Sequence, residues 1–462
     1  MVNSIWNAFR KRKTNNIIPE YNQQASYHVQ YSITAIVSLS VFFSGLQYGW
    51  PSPSLPYLKK RHELTEDQTY WIISMLPFGS IVFSILFPFL SDTIGGKLLI
   101  LFTAFGHFTA WVLIGFMENV EAIYIARFCA GLCDGICFIT PMYLGEIVDS
   151  KIRGTMVSVT IMSFVLGPLV INILEIYIDI YLVAKIFSVW PIIFFGCALW
   201  MPESPYFLVI KKRDEEAKET LQWLRGTTAI HEEYNRISEA ISNKVEFKEL
   251  FLSKQNRRGL VIVVILRMIQ QLIGSSVIMF HLQEILQETG YNISPSTTAS
   301  IYLAIQNIFS LVSLNFADNF GRKPLLIFSL ILTGILMFIV GTYFFLKIET
   351  EIDIQRFSYM PVFALMMYRA SISVGLQKIP AIYTSEVFTP QMKGFANAIC
   401  SVAYNVGILI GSEFFTRIKQ NFEIYFSFYG FALVAFVGLF FVIYYLPETK
   451  GKTIEEIQEE LK

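Results

Sequence analysis

The amino-acid sequence predicts an all-α membrane protein whose twelve transmembrane helices form two pseudo-symmetric bundles of six. The first observation behind this prediction is composition: of 462 residues, 54% are hydrophobic and only 16% are charged. Soluble proteins carry about 25% charged residues. The second observation is a series of long apolar segments. The third is a polar pattern between them that occurs once in each half of the chain.

The apolar segments have the length of membrane-spanning helices, because a helix needs about 20 mostly apolar residues to cross the hydrocarbon core. Backbone inside a bilayer must satisfy its own hydrogen bonds, which favours helices over irregular structure. The predicted spans, called the first to the twelfth in chain order, are 27–50, 70–90, 98–117, 120–143, 155–177, 181–201, 259–282, 297–317, 324–346, 359–385, 395–416 and 425–446.

The repeated polar pattern combines charged loop residues, a Tyr three residues before a Glu, a basic–Gly pair that begins seven residues after that Glu, and a Pro–Glu pair. The first copy consists of Asp92, Gly95, Lys97, Tyr143, Glu146, Arg153-Gly154 and Pro202-Glu203. The second consists of Asp318, Gly321, Arg322, Lys323, Tyr383, Glu386, Lys393-Gly394 and Pro447-Glu448. Two similar bundles joined in one chain are the usual build of a secondary transporter, with a substrate site at their interface.

The spans divide the chain into five expected regions. They are an N-terminal tail at 1–26, a first bundle at 27–201, a linker at 202–258, a second bundle at 259–446 and a C-terminal tail at 447–462. In the linker, apolar residues such as Leu221, Leu224 and Ile237 recur at helical spacing, which predicts short amphipathic helices on the membrane surface. A disordered linker is the alternative.

Basic residues predict the orientation, because short cytoplasmic loops carry an excess of Lys and Arg. Lys97, Arg153 and Lys393 lie on one side with the basic N-terminal tail, so this side and both termini are expected to be cytoplasmic. The run Lys59-Lys60-Arg61 lies on the opposite side and weakens the pattern. A glycosylation sequon at Asn292 falls in a loop predicted outside the cell, in agreement with this orientation.

Several classes of function find no support. Net charge is zero, so no nucleic-acid partner is expected. Cys129, Cys133 and Cys137 share a helix face, but no His lies nearby, and small buried hydrophobic residues are a better interpretation than a metal site. The sequence contains neither a nucleophile elbow nor a phosphate-binding loop. We therefore expect no enzyme, no metal and no cofactor.

Three motifs together resemble those of one family. Pro202-Glu203-Ser204-Pro205-Tyr206-Phe207-Leu208 follows the sixth span, Pro447-Glu448-Thr449-Lys450-Gly451 follows the twelfth, and Gln270-Gln271 precedes Gly274 in the seventh. With these motifs the chain resembles, over nearly its full length, the sugar porters of the major facilitator superfamily. The stretch Gly49-Trp50-Pro51-Ser52-Pro53 further resembles the insect trehalose-transporter-like branch of that family.

The resemblance implies the major facilitator fold and a plasma-membrane carrier that moves a sugar, trehalose or a hexose first, by alternating access. Polyols, or an anion attracted by Lys378, are the alternative substrates. Proton-driven sugar porters commonly carry an acid on the first span, at the position of Gln47 here, so a facilitator is favoured. Two alternatives stay open: a proton-coupled symporter that uses Asp134, and a sensor that binds sugar without carrying it. The oligomeric state is not predicted.

A sugar site needs amides and hydroxyls that both donate and accept hydrogen bonds, and an aromatic face for the sugar ring. By resemblance, Gln270, Gln271, Ser276 and Gln306 occupy sugar-contact positions. Asn307, beside Gln306, and the aromatic Trp50 complete the predicted substrate site. For Gln306 the alternative is a structural amide that joins helices.

The charged residues of the repeat are predicted to form a cytoplasmic gate, since acids and bases at helix ends can pair across helices when that face is shut. The resemblance implies the same latch, and topology charges alone are the alternative. This gate set comprises Asp92, Glu146, Arg153, Glu203, Asp318, Arg322, Lys323, Glu386, Lys393 and Glu448. The first copy lacks two basic residues usual in the family, so we expect its half of the gate to be weaker.

Asp134, Arg127 and Lys378 are ionisable residues within predicted spans, where charge is costly. Asp134 and Arg127 are two helical turns apart on the fourth span, and Lys378 lies on the tenth. The hypothesis is an ion pair between Asp134 and Lys378 across the cavity. The alternative pairs Asp134 with Arg127 and extends Lys378 towards the cytoplasm.

Overall fold

The structure, a computed structural model, describes residues 23–461 apart from 138–139, 243–248, 314–319, 353 and 390–391. Within these residues all regular secondary structure is helical. Eleven helical segments are long and apolar enough to cross a membrane by length and composition. The remaining span is the helix Pro295–Val312, which is less apolar because it has a polar first turn and carries Gln306 and Asn307. The predicted fold class is confirmed.

The first bundle contains six spans and one further helix. The spans are Gln23–Gly49, Glu66–Ile94, Gly96–Phe116, Val120–Cys137 continued by Thr140–Ile147, Arg153–Tyr177 and Ile180–Leu199. The further helix, Pro51–His62, extends the first span. Thr65 starts the second span with a capping box, in which its side chain accepts from the backbone of Gln68 and the Gln68 side chain accepts in return.

The second bundle repeats this arrangement with two broken spans. Its spans are Lys254–Leu272 with Ser275–Phe280, Pro295–Val312, Arg322–Glu349, Tyr359–Val374 with Ile379–Val387, Lys393–Asn421 and Tyr425–Tyr445. A short helix, Leu282–Thr289, follows the seventh span, and a 3₁₀ turn, Gln355–Phe357, precedes the tenth.

In the described part of the linker, four short helices connect the bundles: Pro205–Ile210, Asp214–Arg225, His231–Ser242 and Glu249–Leu252. Leu221, Ile230 and Ile237 form a small hydrophobic cluster among them. The last helix, Ile454–Glu460, packs on the same face, where it contacts the start of the seventh span and the end of the tenth. We call this face of the protein the linker side and the opposite face the far side.

Close backbone approach fixes the first span against the fifth. A Cβ atom on Gly45 would lie 2.2 Å from the carbonyl oxygen of Phe164, and one on Gly167 would lie 2.4 Å from the backbone of Gly45. Only glycine allows this distance between two helices. The contact holds Tyr48, one turn further along the first span, beside the fifth span.

The two bundles meet along two pairs of helices. The second span packs along the eleventh, and the fifth packs along the eighth. Polar side chains cross the first of these interfaces: Asn405 Nδ2 donates to Ser80 Oγ at 3.0 Å, and the hydroxyls of Ser84 and Ser401 are 2.8 Å apart. Hydrogen bonds of this kind stabilise helix contacts inside a membrane.

Candidate functional site

A cavity lies between the two bundles and is bounded by the first, fifth, seventh, eighth, tenth and eleventh spans. Its empty space is about 380 Å³, including the part open to solvent. The lining residues are Tyr48, Phe164, Val165, Pro168, Gln270, Ser275, Ser276, Met279, Gln306, Arg369, Gln377 and Tyr404.

The break in the seventh span shapes this cavity. Gly274 has a φ of +89°, in the left-handed region that favours glycine, and it ends the helix Lys254–Leu272. A Cβ atom there would also lie 2.7 Å from the ring of Phe431. Because the chain turns at Gly274, both Gln270 before the break and Ser276 after it reach the cavity.

Three residues of the predicted substrate site line the cavity: Gln270, Ser276 and Gln306. The Gln270 amide accepts from Arg267 Nη1 at 3.1 Å and donates to the carbonyl of Gln377 at 3.3 Å. Among the described residues, the Gln306 amide oxygen has no partner, so it is available to a ligand. Gln271 lies one layer behind, where its amide oxygen accepts from the Ser276 hydroxyl.

Asn307 and Trp50 do not line the cavity, contrary to prediction. Asn307 Nδ2 donates to the carbonyls of Val165 at 3.2 Å and Leu303 at 2.9 Å, so it joins the eighth span to the fifth. Trp50 is 0% exposed and packs in the core, with the Arg127 guanidinium 5.7 Å from its ring centre. Neighbours in a helix are about 100° apart, so positions 48 and 50 face roughly opposite directions.

Tyr48, which was not predicted, is the aromatic side chain of the first span at the cavity. Its hydroxyl is 2.5 Å from Ser276 Oγ, which connects the two bundles. Its ring contacts those of Phe164 and Phe280, with centroid distances of 5.4 Å and 5.0 Å. Its position one helical turn beyond Gly45 is visible in the sequence, but the face that it occupies is not.

Two buried guanidinium groups on the second-bundle side were also missed. Arg369 lines the cavity, is 4% exposed, and lies with its guanidinium carbon 5.8 Å from the Tyr302 ring centre. Arg267 lies behind Gln270 and is 5.9 Å from the ring centre of Tyr404. Charge inside predicted spans could have identified both, because such residues commonly mark transport pathways.

The intramembrane charges take other partners than predicted. Asp134 is 4% exposed, shares a hydrogen bond with Ser80 and attracts Arg127 electrostatically. Lys378 donates to the carbonyl of Ser310 on the eighth span. Asp134 and Lys378 therefore do not form the predicted ion pair. Arg127 attracts Asp134, as in the alternative, but the hydrogen-bond partner of Asp134 is Ser80, and Lys378 contacts a neighbouring helix instead of extending away from the membrane.

A cluster of charges joins the two bundles on the far side, and no part of it was predicted. This far-side cluster consists of Lys59 and Glu66 from the first bundle and His281, Glu284 and Lys419 from the second. Glu284 accepts from Lys59 Nζ at 2.6 Å, from His281 Nδ1 at 2.8 Å and from Lys419. Lys59 also lies 3.0 Å from Glu66. One feature of the sequence could have pointed to this cluster: the basic run that includes Lys59, which is an exception to the orientation pattern.

The environment of Glu284 keeps it ionised. Burial opposes the charged form, but the hydrogen bond from His281 and the charges of Lys419 and Lys59 outweigh it, so the pKa of Glu284 lies well below its usual range. Glu284 and Lys59 are 17% and 18% exposed, which limits screening by water. The cluster is therefore a partly shielded ionic contact between the bundles.

The gate set of the second bundle forms a connected network on the linker side. Arg322 pairs with Glu386 at 2.7 Å, and Thr449 donates to the same carboxylate at 2.6 Å. Glu448 accepts from the backbone N–H groups of Arg322 at 3.0 Å and Lys323 at 2.9 Å. Burial alone would raise the pKa of Glu448, but hydrogen bonds from these and neighbouring N–H groups have a larger effect in the opposite direction. The pKa of Glu448 is therefore lowered.

The first bundle has a poorer version of this network. Glu203 accepts from the backbone N–H of Lys97 at 3.1 Å, and Ser204 donates to Glu146, as Thr449 does to Glu386 in the other bundle. The position that corresponds to Arg322 is Gly96, which has no side chain. Burial dominates at Glu203, so its pKa is raised even though backbone N–H groups favour its charged form.

Other members of the gate set make local contacts or lie elsewhere. Arg153 Nη2 donates to the carbonyl of Val148 at 3.4 Å. Lys393 lies near Glu386, and Asp92 is in the last turn of the second span. Asp318 lies outside the described residues. The bonds given above for the gate set join residues of one bundle, whereas in the far-side cluster Lys59–Glu284 and Lys419–Glu66 cross between the bundles.

The glycosylation sequon lies on the far side. Asn292 is exposed in the loop between the helix Leu282–Thr289 and the eighth span. Ser294, which completes the sequon, caps the eighth span by accepting from the backbone N–H of Thr297 at 3.2 Å. The amide of Asn292 is therefore accessible for modification.

Comparisons with known proteins agree with this architecture. A sequence model of the family described as "Sugar (and other) transporter" matches residues 13–461. The facilitated trehalose transporter Tret1 of Bombyx mori is 28% identical, over 92% of this chain and 85% of its own length. The protein of the same name from Anopheles gambiae is also 28% identical, over 92% of this chain but only 55% of its own length.

Solved structures show the same fold. The inward open conformation of the xylose transporter XylE from E. coli superposes with a TM-score of 0.79 at 22% sequence identity, covering 94% of this chain and 100% of that one. XylE is a member of the major facilitator superfamily. The chain therefore belongs to the sugar (and other) transporter family, as a membrane carrier with the major facilitator fold rather than an enzyme.

Proposed function

We propose that this protein is a facilitative carrier that moves a small sugar across the membrane by alternating access. The observation that supports this most directly is the cavity between the bundles, where amides, hydroxyls and aromatic rings face one space. Sugars present hydroxyl groups and an apolar ring face, which match these side chains. Trehalose, from the names of the relatives, and hexoses are the first substrates to test.

Four lining residues have specific tasks in this proposal. The amides of Gln270 and Gln306 bind substrate hydroxyls, and Ser276 adds a hydroxyl whose orientation Gln271 controls. Tyr48 supplies the aromatic surface and also bonds to Ser276. Because Tyr48 belongs to the first bundle and Ser276 to the second, a bound sugar would contact both.

Alternating access would exchange one set of ionic contacts for another. In this conformation the far-side cluster connects the bundles, so opening the far side requires separating Lys59 from Glu284. On the linker side, the charges of the gate set would close the protein in the opposite state. The bundles 27–201 and 259–446 would move as units, connected by the helices of 202–258.

Neutral Gln47 supports a passive carrier, since glutamine cannot bind and release a proton. The competing proton-coupled mechanism would use Asp134, which is held beside Ser80 and Arg127. We place the carrier in the plasma membrane with both termini in the cytoplasm, which puts Asn292 outside the cell, in reach of glycosylation.

Transport by the purified full-length protein in vesicles tests the proposal. We expect saturable uptake of radiolabelled trehalose or glucose that an imposed pH gradient does not stimulate. Gln270→Ala should lower uptake about tenfold, because it removes hydrogen bonds to the substrate. The matched control Gln287→Ala changes an exposed residue of the far-side helix and should leave uptake unchanged. Binding without flux of any sugar would identify a sensor instead.

A further inference from the structure

We propose that the cavity prefers a monosaccharide that carries a carboxylate, such as a uronate, over the corresponding neutral sugar. This inference rests on the proposed sugar transport and specifies its substrate class. It is based on the charges of the cavity wall, which differ from what a neutral ligand requires.

Arg369 is a buried cation that faces the cavity, and it has no acidic partner in the part of the chain that the structure describes. It is 4% exposed, and its Nε has no hydrogen-bond partner among the described residues. The contact of Nη1 with Ser275 Oγ is long, at 3.4 Å. A guanidinium presents donors in a fork that matches a carboxylate, and charge-assisted bonds of this type are about twice as strong as neutral ones.

No carboxylate lines the described part of the cavity, and the positive charge nearby is larger than Arg369 alone. Arg267 lies one layer behind and contacts the cavity residue Gln270. Lys378 follows the cavity residue Gln377 in sequence. On the first-bundle side, by contrast, Arg127 is attracted by Asp134. Buried cations without an anion are costly, and a bound carboxylate would compensate this charge.

The groups around Arg369 suggest that the rest of the ligand is a polyol. Gln306 and Gln377 line the same cavity, and each has an amide oxygen without a partner among the described residues. These oxygens accept hydrogen bonds from hydroxyl groups. One guanidinium on the cavity wall matches the single charge of a carboxylate, whereas a phosphate dianion would need further donors. A sugar acid satisfies both the charge and the amides.

Competition in vesicles tests the preference directly. Full-length protein is reconstituted, and labelled glucose exchange is inhibited with unlabelled glucose, glucuronate or glucose 6-phosphate, while labelled glucuronate uptake is measured in parallel. We expect glucuronate to enter the vesicles. It should inhibit glucose exchange at concentrations about tenfold lower than unlabelled glucose does, because its carboxylate forms charge-assisted hydrogen bonds. Stronger competition by glucose 6-phosphate would overturn the carboxylate in favour of a phosphate.

The variant Arg369→Gln isolates the contribution of the charge. It should bring glucuronate and glucose to equal potency, and Arg369→Lys should retain part of the preference. Arg236→Gln, at an exposed position of the linker, should retain all of it. If Arg369→Gln does not fold, as judged by thermal unfolding, the competition with the unaltered protein still decides the question.

The outcomes separate this inference from the proposed function. Transport of glucose or trehalose without transport or binding of glucuronate would overturn the carboxylate preference and leave sugar transport intact. Absence of flux for every sugar, neutral or acidic, would instead contradict the carrier itself. An unchanged glucuronate preference in folded Arg369→Gln would overturn the role of Arg369.

Discussion

Lys59 of the first bundle and Glu284 of the second form an ion pair, with 2.6 Å between Nζ and Oε1. The two residues are 225 positions apart in sequence, yet they join the bundles on the far side. His281 and Lys419 bond to the same carboxylate, so one acid holds three partners. We infer that Glu284 is the central contact that keeps the far side closed.

Glu284→Gln should shift the carrier towards the state that is open on the far side. The substitution leaves Lys59 and Lys419 without their shared anion, at a cost to the closed state of about 1–3 kcal/mol. Spin labels at Lys60→Cys and Asn421→Cys, in a background without the exposed Cys197, would report a longer distance. Glu118→Gln removes a far-side ion pair within the first bundle, with Arg61, and should leave that distance unchanged.

The same labels give a test by pH. A carboxylate with a lowered pKa stabilises the closed state above its ordinary pKa of about 4.3, and the contribution disappears as pH falls through the lowered value. The pKa of Glu284 is far below the usual range, because His281, Lys419 and Lys59 outweigh burial. We therefore expect the far side to stay closed from about pH 8 to about pH 5. Opening within that interval would show that another group controls it.

Tyr48→Phe should weaken substrate binding and lower the stability of the protein only slightly. The variant keeps the ring but loses the 2.5 Å contact with Ser276 Oγ, a neutral hydrogen bond that contributes about 0.5–1.5 kcal/mol. KM for sugar uptake should rise about two- to tenfold. Tyr57→Phe removes a hydroxyl that bonds to Arg61 at the exposed far side and should leave KM as it is.

Gly274→Ala should damage both fold and transport. A side chain in this left-handed conformation costs about 1–2 kcal/mol, and the added Cβ would lie 2.7 Å from Phe431. We expect a lower unfolding temperature and loss of uptake, since Gln270 and Ser276 would no longer face one space. Gly196→Ala, where a Cβ meets nothing within 4 Å, provides the control. Equal behaviour of the two variants would contradict the role of the break.

Much of the architecture follows from patterns in the sequence. Apolar length predicts the spans, and the repeated polar pattern predicts two similar bundles, because both signals can be read directly along the chain. The assignment of Trp50 to the cavity was wrong because it depended on which face of a helix the residue occupies. That face is set by packing against other spans, here by the close approach of Gly45 to the fifth span.

The site was harder to predict where it depends on distant partners. Arg369 is visible as a charge within a span, but its role depends on the lack of a nearby acid, which only the assembled cavity reveals. The far-side cluster likewise depends on residues that come together only in the folded protein. Lys59 and Glu284 belong to different bundles, and no spacing rule connects residues so far apart in sequence.

Asp134→Asn distinguishes facilitated from proton-coupled transport. Asp134 is 4% exposed and attracts Arg127, so its loss leaves a buried cation and should lower the free energy of unfolding by about 3 kcal/mol. In a proton symporter, removal of the proton-binding acid abolishes net uptake but leaves exchange of labelled for unlabelled sugar. In a facilitator both rates depend on the same conformational change.

We therefore expect Asp134→Asn to lower net uptake and exchange by the same factor, measured on the same vesicles with equal amounts of folded protein. The matched variant Ser80→Ala removes the hydrogen-bond partner of Asp134 without removing the charge, and should have a smaller effect on stability and none on the ratio of the two rates. Selective loss of net uptake in Asp134→Asn would establish proton coupling. Net uptake requires the empty carrier to change conformation, and only in a proton symporter does this step depend on release of the proton from the acid.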